Sequence, residues 1–98
     1  MTLADRELAD RLASLPGWTT DGTTLVRRYL FPSFAFAVAF VTCLGVDADT
    51  RDHHPDILIS HRRVTVTWTT HDAGGITEKD ITGARESDRL AAAMGHQD

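Results

Sequence analysis

A single cysteine, Cys43, stands in the whole chain, so no internal disulfide can staple it and no C-x-x-C site can form. Set in an apolar stretch, it reads as a small buried hydrophobe. An excess of positive charge is also missing. Lys and Arg number 10 against 14 Asp and Glu, for a formal net charge of −4, and the cations are scattered. That excludes the basic face or stripe of a nucleic-acid binder. No apolar run reaches bilayer-spanning length, residues 34–46 being the longest candidate. The start, Met1 to Glu7, lacks a basic segment followed by an apolar one. No secretory signal is expected, and the expected location is cytoplasmic. Gly74-Gly75 lacks the rest of either common phosphate-binding pattern, and neither Ser33 nor Ser60 lies in a nucleophile-elbow context.

What is present is an ordinary soluble composition, 42% hydrophobic and 24% charged, with no repeat, linker or low-complexity tract. A single domain over residues 1–98 is expected. A chain of this size buries roughly 60–70% of its unfolded surface.

Thr2-x-x-Asp5 reads as a capping box opening a helix with Leu3, Leu8, Leu12 and Leu15 near helical spacing, stopped by Pro16-Gly17. Trp18 to Thr20 and Thr24 to Phe31 read as strands joined through Asp21-Gly22. Pro32-Ser33 opens a second helix with Ser33 as N-cap. Its predicted faces are Phe34, Val38, Val41 and Ala48, with Phe36 and Phe40 adjacent. So wide an apolar arc needs more cover than a small sheet gives and suggests a subunit interface. Ile57 to Ser60 is a short strand, Arg62-Arg63 borders a tight connection, and Val64 to Thr70 is the clearest strand in the chain. Gly74-Gly75 breaks it. Thr77 to Asp80 caps a last helix carrying Ile81, Ala84, Leu90, Ala91 and Met94. The order is α-β-β-α-β-β-α.

The chemistry lies in the histidines. His53 and His54 sit at a helix-to-strand corner locked by Pro55, and His71 follows the clearest strand. Histidine is the side chain whose ordinary pKa lies near neutrality, suited to giving or taking a proton. Any one of them alone is best read as a surface or turn-bracing residue. Three at such positions favour a site. A metal centre is the rival reading, with Asp72 as a further ligand. No H-x-H, H-E-x-x-H or C-x-x-C spacing accompanies them, which favours metal-free acid–base chemistry.

The run Asp52-His53-His54-Pro55, followed by Thr69-Thr70-His71-Asp72-Ala73-Gly74-Gly75 and by Thr77 to Asp80, resembles the pterin-4a-carbinolamine dehydratase family. Leu15-Pro16-Gly17-Trp18, the hairpin ending at Phe31 and the Phe34-to-Phe40 helix agree, so the likeness covers nearly the whole chain. The resemblance implies an α+β fold, a four-stranded antiparallel sheet with three helices on one face. It implies cofactor-free dehydration of a 4a-hydroxytetrahydropterin to the quinonoid dihydropterin. Carried over, the catalytic residues are His53, His54 and His71, and Asp52, Thr69, Thr70 and Asp72 line the pterin site. Asp49 keeps an acidic position. Asp80 matches a closing aspartate, read here as a helix cap rather than a direct catalytic part. Ile57 and His61 stand where many members have tryptophan and tyrosine; His61 is read as a strand-surface residue.

On this reading His53 and His71 exchange protons with substrate while His54 positions it. The resemblance also implies dimers and tetramers, formed through the 33–50 helix and the sheet edge. Relatives of the fold serve as protein-binding modules, a transcription-factor partner in animals and assembly factors for a carbon-fixing enzyme in bacteria. A non-catalytic binding or assembly module is therefore the alternative.

Overall fold

Two alternating runs make the centre of the sheet. In the computed structural model, which describes residues 1–97, strand β2 spans Leu25–Leu30 and strand β4 spans Arg63–Trp68, paired antiparallel from Leu25↔Trp68 to Leu30↔Arg63. Successive side chains of a strand point to opposite faces. Leu25, Arg27 and Tyr29 therefore share the inward face with Val64, Val66 and Trp68, and all six are buried. Strand β1, Thr19–Thr20, flanks β2, and strand β3, Asp56–Ser60, flanks β4, giving the order β1-β2-β4-β3 with every pair antiparallel. β3 is an edge strand, with Leu58 on the open face and exposed.

Three helices complete the α-β-β-α-β-β-α order: α1 over Asp5–Ala13, α2 over Phe34–Arg51 and α3 over Glu78–Ala93. Helices α2 and α3 contact each other and the sheet. α1 joins the same core through Leu8, with Leu15 beyond its end and Leu3 and Leu12 packed alongside. The predicted architecture is the one observed.

Several local expectations change. Helix α1 starts after Ala4, whose N–H is held by the Glu7 carboxylate at 3.0 Å, so the cap is displaced from Thr2. The β1–β2 connection is a four-residue loop organised by Asp21, whose Oδ1 accepts the N–H groups of Thr23 and Thr24 at 2.9 and 2.8 Å. Cys43 is half-buried. The core face of α2 is Ala37, Phe40, Leu44 and Ala48, while Phe34 and Val38 of the predicted face are exposed. Positions 34–44 of this helix are apolar except Thr42, so periodicity could not choose the inward stripe there. Ser33 caps it as expected, accepting from Phe36 N–H at 3.2 Å. His61 lies in the β3–β4 turn at φ 55 rather than on the strand surface.

One polar anchor was not foreseen. Asp88 of α3 accepts from Trp18 Nε1 at 3.0 Å, Arg27 at 2.9 Å and the Tyr29 hydroxyl at 2.6 Å, tying the helix to β2 and to the residue preceding β1.

Candidate active site

Helix α2 ends in a Schellman arrangement. The N–H of Asp52 donates to the Asp49 carbonyl and that of His53 to the Ala48 carbonyl, both at 3.2 Å. Asp52 sits at φ 52, in the left-handed region usually left to glycine. This turn directs the next side chain inward: His53 is only 14% exposed. Pro55 then forces extended backbone into β3.

The His53 ring is fixed on two sides. It stacks on Trp68 with centroids 5.3 Å apart and planes 22° from parallel. Its Nε2 lies 2.7 Å from Oδ1 of Asp80, whose side chain is 0% exposed. Trp68 is itself held in place. Its Nε1–H donates to Ser87 Oγ at 3.0 Å, and Ser87 donates to the Gly83 carbonyl at 2.8 Å. Gly83 is required there: a Cβ would come within 2.6 Å of the indole.

Asp80 gathers three donors. Besides His53, its Oδ2 accepts the Thr70 hydroxyl at 2.8 Å and the Thr77 N–H at 2.9 Å. The last of these is the capping box of α3 foreseen from Thr77 to Asp80. A carboxylate only accepts, so His53 Nε2 carries a hydrogen, and in the neutral imidazole the lone pair is then on Nδ1. Such charge-assisted bonds contribute roughly 1.5–3 kcal/mol each.

His54 turns outward, its Nε2 2.8 Å from Asp49 Oδ1, with both side chains largely exposed. A pair in this setting contributes about 0–1 kcal/mol and serves to orient the ring. His71 opens a 3₁₀ turn, His71–Ala73, ended by Gly74 at φ 76, and is exposed. The Thr69 hydroxyl donates to the Thr23 carbonyl at 2.7 Å, which moors the end of β4 to the first hairpin. β4 closes at Trp68 instead of Thr70, and Thr70 forms an isolated bridge with Gly75.

These segments enclose one hollow of about 250 Å³. His53, His54 and His71 line it together with Asp52, Thr69, Thr70 and Asp72, so all seven residues of the predicted set meet there. Asp49 and Asp80 stand behind it, on His54 and His53. Ile57 and His61 do not line it, and His61 is at the opposite end of β3. Among the described residues, no group of three or more His, Cys, Asp or Glu is arranged to hold a metal ion.

Sequence reasoning missed Lys79, which also lines the hollow, and the contacts by which Trp68 and Asp80 fix His53. Trp68 was legible as an inward residue of the alternating strand. Asp80 was named as a supporting family position but read as a cap.

The family model described as "Pterin 4 alpha carbinolamine dehydratase" matches residues 1–90. The chain belongs to that family.

Among its relatives in the pterin dehydratase family is a Thermomicrobium roseum protein named for pterin-4-alpha-carbinolamine dehydratase. It is 47% identical over 90 residues, covering 92% of this chain and 97% of its own. A Roseiflexus protein of the same naming is 44% identical over 88 residues, covering 90% and 95%. The Brucella melitensis "transcriptional coactivator/pterin dehydratase" superposes with a TM-score of 0.89 at 34% identity, over 93% of this chain and 99% of its own. A pterin dehydratase-like RuBisCO assembly factor of the alpha-carboxysome shares the fold, with a TM-score of 0.64 at 24% identity over 76% and 86%. Among the described residues of this pterin dehydratase family member, no helix is long and apolar enough to cross a membrane.

Proposed function

We propose that this protein dehydrates a 4a-hydroxytetrahydropterin to the quinonoid dihydropterin, with its own histidines as the acid and base and no cofactor. Support comes above all from one observation: three imidazoles from two separate segments, the His53-His54 corner and the turn at His71, share a hollow, and the most buried of them is backed by Asp80.

The reaction breaks the C4a–O bond, releases water and removes one proton from a ring nitrogen. The lone pair of the adjacent ring nitrogen expels the oxygen as it is protonated. His53 is suited to the base step. Its Nδ1 offers a lone pair, and Asp80 stabilises the imidazolium that results. His71 is exposed, so it can protonate the departing oxygen and be reprotonated from solvent. His54, steadied by Asp49, positions the ring or hydroxyl. Each well-placed acid or base contributes typically ~10²–10⁴-fold. The carboxylates of Asp52 and Asp72 fit the amino and N–H donors of a pterin edge. Thr69 and Thr70 shape the wall, their hydroxyl hydrogens already committed to Thr23 and Asp80.

We also read the protein as a cytoplasmic homotetramer that takes part in tetrahydrobiopterin recycling. Phe34, Phe36 and Val46 of α2 are 60%, 47% and 65% exposed, and the outer edge of β3 is unpaired. Burying a Phe stabilises by roughly 1.5–3 kcal/mol, a strong incentive to cover this face. The same face would serve the alternative, a non-catalytic binding module. The complete histidine set favours the enzyme.

Stopped-flow measurement of carbinolamine decay tests the activity. Wild type should accelerate it, and His53→Ala and His71→Ala should each lose most of that acceleration. Wild-type rates in both variants would remove the proposed scheme. Light scattering tests the assembly: a stable monomer at micromolar concentration would remove the tetramer.

A further inference from the structure

We propose that Lys79 is a substrate-reading residue, its ammonium bonding the 4-oxo group of the pterin ring and setting its orientation over His53. The proposal rests on the dehydratase reading and names a group that the reading does not use.

Lys79 is exposed on the first turn of α3 and lines the histidine hollow. It also borders two neighbouring hollows, one shared with Thr70 and Asp72, the other with Arg51 and His53. Its stem therefore stands where three depressions meet, and it is the only Lys or Arg among the described residues that lines the histidine hollow.

The carboxylates beside it on the first turn of α3 are already engaged, and those of Asp52 and Asp72 share the hollow with it. Glu78 is bidentate with Arg11, at 3.1 and 3.0 Å, and Asp80 is committed to His53, Thr70 and Thr77. Lys79 makes no ion pair among the described residues, a state it shares with about half of the chain's Arg residues. Its position is electrostatically unfavourable as well. The first turn of a helix carries the positive end of the backbone dipole and favours anions.

The pyrimidine edge of a pterin presents a 2-amino group and an N3–H, both donors, beside the 4-oxo acceptor. Asp52 and Asp72 can take the donors. Without Lys79, the only side chains in the hollow to meet the oxygen are imidazoles needed for proton transfer and hydroxyls whose hydrogens are committed. An ammonium beside two carboxylates reads donor, donor, acceptor in one direction only, so it would reject a ring with an amino group at position 4.

Lys79→Gln and Lys79→Arg separate this role from a structural one. With a 4a-hydroxytetrahydropterin as substrate, Lys79→Gln should raise KM about tenfold with kcat within about twofold, and Lys79→Arg should restore most of the loss. Titrations with 7,8-dihydropterin and its 2,4-diamino counterpart supply the second readout. Wild type should favour the 4-oxo ring about tenfold, and Lys79→Gln should bind both alike. Active wild type with unchanged KM and unchanged ring preference in Lys79→Gln overturns the Lys79 proposal alone. So does a fall in kcat with KM unchanged. Wild type that neither binds dihydropterin nor turns over the carbinolamine overturns this proposal together with the dehydratase reading.

Discussion

Asp80 Oδ1 and His53 Nε2 lie 2.7 Å apart, the carboxylate fully enclosed and the imidazole at the wall of the hollow. The carboxylate is anchored by two donors from its own surroundings, Thr70 and Thr77, so it holds the ring and is not merely carried by it. This relationship gives the His53 ring one fixed orientation rather than a freely turning one, as the proposed base step requires.

Replacing Asp80 by Asn should therefore separate shape from function. The amide oxygen can still accept the Thr77 N–H, but the NH₂ group would face His53 Nε2 as a donor and favour the opposite tautomer. The expected result is a fall of ~10²–10⁴-fold in dehydration rate with a stability loss of only about 1–2 kcal/mol. Stopped-flow rates, urea unfolding and imidazole ¹⁵N shifts check it. A rate within twofold of wild type would contradict the assignment.

Gly83→Ala tests the support beneath His53. The added Cβ would meet the Trp68 ring at 2.6 Å, and that ring is fixed by Ser87. Overpacking of this kind costs roughly 1–3 kcal/mol. Activity should fall as well, because displacing the indole displaces the stacked imidazole. Denaturant unfolding and turnover measured on the same sample give both outcomes.

Asp52→Gly should stabilise the protein and impair it. Relieving a left-handed non-glycine residue is worth about 1 kcal/mol, while the hollow loses one of its carboxylates. A higher Tm with weaker dihydropterin binding is the expected pair of results.

Asp21 has a pH signature. The backbone N–H groups of Thr23 and Thr24, joined by the Thr23 hydroxyl, lower its carboxyl from 3.8 to about 2. A depressed carboxyl contributes stability that is present above its unfolded value and is lost as pH falls through the folded one. The hairpin contribution should be intact at pH 5 and fade between roughly pH 4 and pH 2. The Thr23 and Thr24 amide proton shifts should titrate with a midpoint near 2. A midpoint near 4 would show that these bonds do not hold the loop in solution.

How much of this was legible depended on whether a residue had one job or two. Ser33, the alternation from Val64 to Trp68 and the His-His-Pro corner each announce a local feature, and the fold and the histidine hollow follow from them. Asp80 fills a capping position so well that its second partner, 27 residues upstream, leaves no trace in the local pattern. Asp88 binds three residues from the β1–β2 region by tertiary packing alone. The inward face of α2 was hidden by an excess of apolar residues. Lys79 was hidden because a lone lysine on a helix ordinarily means a solvated surface.

Because one carboxylate both starts α3 and steers His53, fraying of that first turn should, on the proposed scheme, idle the enzyme before any global unfolding begins. Amide exchange at Thr77 would then time the same opening event that interrupts turnover, and a ligand seated against His53 would slow both together.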